Sequence, residues 1–164
     1  MVWQDLPSPN LPSGYEDYAK KNFEDESKRI ITAFRNHPSI IQWVVFNEGW
    51  GQFDTERMTQ IVISEVGQSL VCCASGWVDA PIGDIKDSHS YPNPSCPLDE
   101  TRAGVCGEYG GITLKVQGHI WPGGDFQYTT VETGKDFTVL FNNLADKVID
   151  HYYYCLLYTS DAAD

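Results

Sequence analysis

The sequence predicts an α/β fold that is built on a parallel sheet. Residues 40–46 (IIQWVVF) are nearly all apolar and rich in β-branched side chains, which is typical of a strand covered on both faces. One helical pattern precedes this strand, another follows it, and further short apolar segments come later in the chain. Strands that alternate with helices in this way favour a β/α architecture in which the strands run parallel.

The chain before this strand is predicted to hold a loop and a long helix. Residues 1–4 form a short apolar segment, and residues 5–14 (DLPSPNLPSG) have the composition of a loop. A helical pattern then runs up to residues 36–38 (NHP), which end it because the residue before a proline avoids the helical conformation. The apolar face of this helix is predicted to consist of Tyr15, Tyr18, Ala19, Phe23, Ile30 and Phe34.

A second helix and three further strands are predicted after residue 46. Asp54 is expected to cap this helix and Gly67 to end it. Its apolar face is predicted to consist of Met58, Ile61, Val62 and Val66. The strands are predicted at residues 69–74, 84–89 and 103–107. The connections between these strands are short, and one of them contains three prolines, so neither has room for a full crossover helix.

The last part of the chain is predicted to be a long loop followed by a helix. Residues 109–132 are rich in glycine and aromatic residues, which indicates a loop. Thr133 and Asp136 resemble a helix-capping box, which predicts a helix start there. The apolar face of this helix is predicted to consist of Phe137, Leu140, Phe141, Leu144 and Val148.

The charge of the chain excludes two classes of partner. There are 23 acidic and 11 basic residues, a net charge of −12, and the basic residues are scattered. Such a field repels nucleic acid and anionic membranes, and no apolar run approaches the roughly 18 residues of a membrane span. We therefore expect neither a nucleic-acid nor a membrane partner.

The cysteines are interpreted as small core residues. Their number is odd, no CxxC spacing occurs, and two of them are adjacent in an apolar run, which fits neither a zinc site nor a disulfide framework. They are Cys72, Cys73, Cys96, Cys106 and Cys155.

Two glutamates, Glu48 and Glu108, directly follow predicted buried strands. In parallel β/α folds the carboxyl ends of the strands carry the active site. One such glutamate could merely cap a helix or pair with an arginine, but two at matching strand ends favour a pair of catalytic carboxylates. Two carboxylates in unlike environments supply the proton donor and the anion that cleavage of a glycosidic bond needs.

Four segments resemble the catalytic domain of glycoside hydrolase family 2, which contains β-galactosidases, β-glucuronidases and β-mannosidases. Residues 35–48 (RNHPSIIQWVVFNE) are similar to the family's acid/base strand, and residues 107–111 (GEYGG) to its nucleophile strand. Residues 2–7 (VWQDLP) resemble the end of its third barrel strand and residues 87–92 (DSHSYP) its sixth. The resemblance covers nearly all of residues 1–145.

The resemblance implies a fold and a reaction. Residues 1–153 would form part of a (β/α)8 TIM barrel, roughly its strands three to seven. Glu48 would be the general acid/base and Glu108 the nucleophile of a retaining β-glycosidase, with no metal or organic cofactor. Asn47 would bind the 2-hydroxyl of the sugar, and Tyr91 would lie near the nucleophile. Weaker candidates for substrate contacts are His89, Trp50 and Trp121.

The resemblance also implies missing parts. The chain would begin at strand three and stop before strand eight, so its partners would include the rest of its own barrel and the β-sandwich domains that precede it. The isolated chain is then expected to be inactive, and residues 154–164 are interpreted as a tail foreign to the fold.

Two other functions stay open at this point. A non-hydrolytic carbohydrate-binding protein on the same barrel would keep the aromatic residues but lose one carboxylate. A β-glycanase of another family in the same barrel clan would share the Asn-Glu pair and the later glutamate.

Overall fold

The computed structural model describes residues 1–9, 15–120, 128–151 and 156–157. The strands are β1 (Val2–Asp5), β2 (Ile40–Asn47), β3 (Leu70–Ser75), β4 (Ile85–Ser90), β5 (Ala103–Tyr109), β6 (Ile112–Leu114), β7 (Thr129–Val131) and β8 (Leu156–Leu157). The helices are α1 (Asp17–Phe34), α2 (Thr55–Val66) and α3 (Gly134–His151). Among these helices, none has the length and apolar character needed to cross a membrane.

The main sheet is parallel throughout and follows the order of the chain. Its strands are arranged β1-β2-β3-β4-β5-β8, and every neighbouring pair is parallel. Strands β1 to β5 curl into half of a barrel. Sequential, parallel and curled strands are the arrangement of a (β/α)8 barrel. The predicted α/β fold with a partial parallel barrel is therefore confirmed.

The outer face of the sheet is covered by the two crossover helices, α1 and α2. Trp43 and Val45 of β2 are fully buried on this face, together with Met58 and Val62 of α2. Phe23 of α1 stacks on a phenylalanine at the end of β2 with ring centroids 5.5 Å apart. Because helices cover one face and the barrel interior the other, β2 needs the continuous apolar run that the sequence contains.

The inner face carries one layer to which each of the first five strands contributes. Its buried members are Val44, Cys72, Ile85 and Val105, and the partly buried Trp3 packs against them. Layers of this kind fill the interior of β/α barrels with side chains, so the floor beneath the carboxyl ends of the strands is solid and apolar. Polar groups above this floor are therefore partly shielded from water.

The short connections have no helices, as the sequence predicts. Residues 76–84 and 91–102 join β3 to β4 and β4 to β5 through turns and bends. The two longer connections before them contain α1 and α2.

The predicted apolar face of α1 is only partly correct. Phe23 is buried, but the other buried positions are Ser27 and Ile31, while Tyr18 is 75% exposed and Phe34 43% exposed. The three buried residues are spaced four apart, so the helix touches the sheet along a narrow line. The Ser27 hydroxyl donates to the Phe23 carbonyl oxygen at 2.7 Å, which lets a polar side chain lie in this line.

The helix ends agree with the sequence in two cases and differ in one. Gly67 ends α2 with a φ of +72°, and the Asp136 backbone N–H donates to the Thr133 hydroxyl at 3.1 Å at the start of α3. Asp54 lies at the start of α2 but makes no capping hydrogen bond, because its backbone is left-handed. Of the predicted apolar face of α3, Leu144 is buried and Phe141 is 58% exposed.

Two further interpretations of the sequence need correction. The region 109–132 is not only loop, because β6 and β7 pair in parallel within it. The cysteines at 72, 73 and 106 are free and buried as expected, whereas Cys96 is disulfide-bonded and is not a free core thiol. Cys155 lies outside the described residues. Within the segment interpreted as a foreign tail, Leu156–Leu157 pair with β5.

Replacing Trp43 with alanine should lower the free energy of unfolding by about 3–5 kcal/mol, because the side chain is 0% exposed and its loss leaves a large cavity. The indole Nε1 has no hydrogen-bond partner among the described residues, so Trp43→Phe loses no hydrogen bond and should cost much less. Denaturant unfolding of the two variants beside the unaltered protein measures both effects. Equal losses would mean that the cavity is not the cause.

Candidate active site

Polar side chains gather where the parallel strands β1 to β5 end. Asp5 ends β1, Glu48 directly follows β2, Ser75 ends β3, and His89 and Glu108 lie near the ends of β4 and β5. Because the carboxyl ends of parallel strands meet at one edge of a sheet, these residues share one end of the half barrel. The two glutamates singled out in the sequence belong to this group.

The backbone at Glu48 has an unusual conformation. Its φ is +50°, in the left-handed region that non-glycine residues rarely adopt, and Gly49 follows with +76°. Two contacts with the adjacent strand hold the turn. The Glu48 N–H donates to the Ser75 carbonyl oxygen at 3.0 Å, and the Trp77 indole donates to the Glu48 carbonyl oxygen, also at 3.0 Å. Backbone strain of this kind is concentrated at functional sites.

His89 lies between the two glutamates. Its Nδ1 is 2.7 Å from Glu48 Oε1, and its Nε2 is 3.6 Å from Glu108 Oε1. One carboxylate oxygen of each glutamate and one nitrogen of the imidazole all lie within 4.8 Å of one another. The fold therefore brings the two glutamates together, although Glu108 comes 60 positions after Glu48 in the chain.

A buried aspartate, Asp87, lies beside the imidazole. Its Oδ2 is 3.4 Å from His89 Nε2, and neither side chain is more than 1% exposed. Its Oδ1 accepts the backbone N–H groups of Gly107 at 2.6 Å and Ser88 at 2.7 Å. A Cβ atom at Gly107 would collide with the carboxylate, so the backbone of β5 can approach Asp87 only because this residue is glycine.

The charges of this cluster shift the pKa values of two of its members. Burial of the imidazole opposes its protonation, but its close approach to Asp87, its hydrogen bond to Glu48 and the nearby charge of Glu108 prevail and raise the pKa of His89 to about 9. Desolvation of the carboxyl group, together with the negative charges of Glu108 and Asp87, raises the pKa of Asp5 to about 6. At neutral pH the imidazole is therefore a cation beside several acidic side chains.

Tyr91 binds the second glutamate. Its hydroxyl donates a short hydrogen bond to Glu108 Oε2. Burial, the hydrogen bond and the charge of Glu108 all raise the pKa of Tyr91 above its usual value, so the hydroxyl keeps its proton. The Tyr91 ring stacks on Tyr128 at 3.9 Å between centroids with the planes 4° apart. Tyr128 is 44% exposed and extends this aromatic surface towards solvent.

The other predicted substrate contacts differ in their placement. Asn47 ends β2, and its Oδ1 accepts the Ser75 hydroxyl at 2.7 Å, which leaves its amide nitrogen as a donor. Trp50 is half-buried in the turn that follows, where its backbone N–H donates to the Asn47 carbonyl oxygen at 2.8 Å. Its indole makes no hydrogen bond to either glutamate within the described residues. Trp121 lies outside the described residues.

Sequence reasoning did not single out five residues of this site: Asp5, Ser75, Trp77, Asp87 and Tyr128. A signal existed for Asp87, because strand alternation places Ile85, Asp87 and His89 on the same face, and all three are buried. Asp5 and Trp77 lie at or just after strand ends, the positions that directed attention to the glutamates. No pattern in the sequence points to Tyr128, which reaches the site from a separate small sheet.

The spacing of Glu48, His89 and Glu108 alone would suit a divalent cation. The imidazole, however, directs Nδ1 at the Glu48 carboxyl group in a hydrogen bond and Nε2 at Asp87 and Glu108 at 3.4 and 3.6 Å, so both nitrogens face acidic side chains. A nitrogen that carries a proton cannot bind a metal ion. The contacts therefore favour a cluster held together by hydrogen bonds and charge interactions over one that binds a metal ion.

The arrangement provides two carboxylates whose immediate partners differ. Glu48 is bound by an imidazole, and Glu108 by a tyrosine hydroxyl. Unlike surroundings allow one carboxyl group to carry a proton while the other stays ionised. Neither a protein-family model nor a curated protein matches this sequence.

Proposed function

We propose that these residues form part of the catalytic domain of a retaining β-glycoside hydrolase related to glycoside hydrolase family 2. The observation that carries this proposal is the meeting of Glu48 and Glu108, from the ends of two parallel strands, with one oxygen of each within 4.8 Å. Retaining glycosidases hold their two carboxyl groups about 5–5.5 Å apart, and inverting ones about 6.5–9.5 Å apart, with room for a water molecule. One oxygen of each glutamate within this limit is compatible with the shorter spacing, and the resemblance to the family implies retention.

In the first step Glu108 is the nucleophile and Glu48 the acid. A Glu108 oxygen forms a bond to the anomeric carbon as the bond from that carbon to the leaving oxygen breaks. The proton of Glu48 passes to the leaving oxygen, so the aglycone departs as a neutral alcohol. The Tyr91 hydroxyl, bound to the second oxygen of Glu108, keeps the nucleophile oriented.

In the second step Glu48, now a carboxylate, acts as a base. It takes a proton from a water molecule whose oxygen attacks the anomeric carbon and displaces Glu108. Two inversions at the same carbon restore the original configuration. The enzyme returns to its starting state, with Glu48 protonated and Glu108 ionised.

The surroundings of the pair suit a sugar ring. The amide nitrogen of Asn47 is a donor beside Glu48, where it could bind the 2-hydroxyl of the sugar. Trp77 and Tyr128, each 44% exposed, contact the two sides of the site through His89 and Tyr91 respectively. Aromatic faces of this kind stack on the apolar faces of pyranoses.

A covalent trap tests the proposal in the natural polypeptide that carries these 164 residues. A 2-deoxy-2-fluoro-β-glycoside with an activated leaving group slows the second step, so the glycosyl-enzyme should accumulate. Peptide mass spectrometry should then find the sugar on Glu108. Hydrolysis of the unmodified aryl glycoside with inversion, or a label on another carboxylate, would overturn the assignment. Sugar binding without any turnover would favour the carbohydrate-binding alternative.

A further inference from the structure

The reaction above uses the two glutamates and leaves Asp87 and His89 without a role. Both side chains are essentially fully buried, which is costly for a carboxylate and an imidazole unless each is paired. The site is also shaped around them. A Cβ at Gly76 would lie 2.7 Å from His89 Nδ1, and one at Gly107 would collide with Asp87. A glycine just after β3 and a glycine in β5 thus leave room for the two side chains.

We infer that Asp87 and His89 are a positioning pair, in which Asp87 keeps His89 doubly protonated so that the imidazolium binds both catalytic glutamates at once. Its Nδ1–H donates to Glu48 Oε1, and its Nε2–H faces Asp87 and Glu108. The inference rests on the proposed function, because it assigns the pair a part in that reaction. The pair acts on the sugar only through the two glutamates.

The geometry favours both nitrogens as donors. All three atoms that face the ring are carboxylate oxygens: Oε1 of Glu48, Oδ2 of Asp87 and Oε1 of Glu108. A neutral imidazole carries one lone pair, which would point at an anion from one of the two nitrogens. Only the imidazolium has N–H groups on both sides.

Charged groups on each neighbouring element also favour the protonated form of His89. Asp5 acts on the imidazole from β1, Glu48 from the end of β2, and Glu108 from β5. The uncharged groups that face this cluster are the Trp77 ring, which packs edge-on against His89, and the Tyr91 hydroxyl on Glu108. The raised pKa of His89, about 9, agrees with this balance.

The bridging imidazolium of His89 would act in both steps of the reaction through the two glutamates. It occupies Oε1 of Glu48, so the proton that is transferred must be carried by Oε2. It also stabilises the ionised form of Glu108, which is the form that attacks the sugar. Loss of the cation should therefore change the pH profile of kcat/KM, which depends on the protonation of both glutamates.

Asp87→Asn is the test, because it removes the charge and retains the shape. The asparagine Oδ1 can keep the two backbone hydrogen bonds from Gly107 and Ser88, while its Nδ2–H₂ would donate to His89 Nε2. His89 would then become neutral with its proton on Nδ1, and its bond to Glu48 would survive. The expected change is a fall in the pKa of His89 from about 9 towards or below its usual 6.5.

Nitrogen-15 NMR of histidine-labelled protein measures this directly, because the two ring nitrogens report protonation and tautomer separately. The chain has four histidines, so the His89→Gln variant assigns the signal. Asp146→Asn, the same chemical change at an exposed position of α3, is the matched control and should leave the signal unchanged. A neutral His89 at pH 7 in the unaltered protein, or an unshifted pKa in Asp87→Asn, would overturn the inference.

Unfolding experiments provide a second measurement that does not depend on NMR. A histidine whose pKa is 6.5 when unfolded and about 9 when folded adds stability fully below pH 6.5, and this stability is lost as the pH rises through 9. The free energy of unfolding should thus fall across this window in the unaltered protein. It should fall less in Asp87→Asn, and an identical slope in the two proteins would contradict the inference.

Enzyme kinetics separates the failure of the inference from that of the proposed function. If Asp87 and His89 only hold the fold, Asp87→Asn should change stability and leave the pH profile of kcat/KM in place, which would overturn the positioning role. If His89 titrates as expected while no glycoside is hydrolysed and Glu108 is never labelled, the proposed reaction is wrong. The catalytic part of the inference would fall with it.

Discussion

In the natural polypeptide that carries these residues, replacing Glu108 with alanine should reduce kcat/KM for aryl β-glycosides by on the order of 10⁴-fold or more, the scale of losses when a covalent nucleophile is removed. Without this carboxylate no oxygen can form the glycosyl-enzyme, and no anion faces the developing oxocarbenium ion. The Tyr91 hydroxyl would also lose its acceptor. Glu100→Ala, at an exposed position between β4 and β5, is the matched control and should keep full activity.

Added azide should restore turnover of an activated aryl glycoside by Glu108→Ala. The small anion can enter the space that the side chain leaves and attack from the same side. One displacement replaces two, so the product should be the α-glycosyl azide, with inverted configuration. Near-normal activity of Glu108→Ala without azide would remove Glu108 from the mechanism.

Replacing Glu48 with glycine should have an effect that depends on the leaving group. With a poor leaving group such as an alkyl alcohol, we expect kcat/KM to fall by about 10²–10⁴-fold, the usual contribution of general acid catalysis. With dinitrophenolate, which needs no proton, the first step should be much less affected. The φ of +50° at this position suits glycine, so the change should not disturb the fold.

The same variant gives a stereochemical result opposite to that of Glu108→Ala. In Glu48→Gly the nucleophile is present, so azide should intercept the glycosyl-enzyme and produce the β-glycosyl azide, with retained configuration. The alkaline limb of the pH profile should also disappear, because the group that must be protonated is absent. Equal losses for good and poor leaving groups would show that Glu48 is not the acid.

Much of the fold can be predicted from the sequence because its causes are local. A continuous apolar strand between two helical patterns requires cover on both faces, which is why the run from Ile40 to Phe46 indicates a parallel sheet. Connections that are too short to hold a helix can be identified by counting their residues. The buried face of α1 is less predictable. Tyr18 and Phe34 fit the helical periodicity but are exposed, whereas Ser27 and Ile31 are buried.

The disulfide bond of Cys96 also depends on the tertiary structure. The sequence contains the spacing of the cysteines, but not which sulfur atoms approach one another, and that distance decides whether a disulfide can form.

The sequence by itself determined the α/β class, the positions of its main strands and the two glutamates as candidates. Local polarity, periodicity and strand ends can all be recognised from consecutive residues. Only the tertiary structure decided that His89 lies between Glu48 and Glu108, with Asp87 behind it. These contacts join side chains from three strands that are far apart in the chain, and their distances depend on how the sheet curls and where glycine lets two backbones approach. Charges and hydrogen bonds shift pKa values only when the fold has brought the groups together. These shifts therefore cannot be predicted from the sequence pattern.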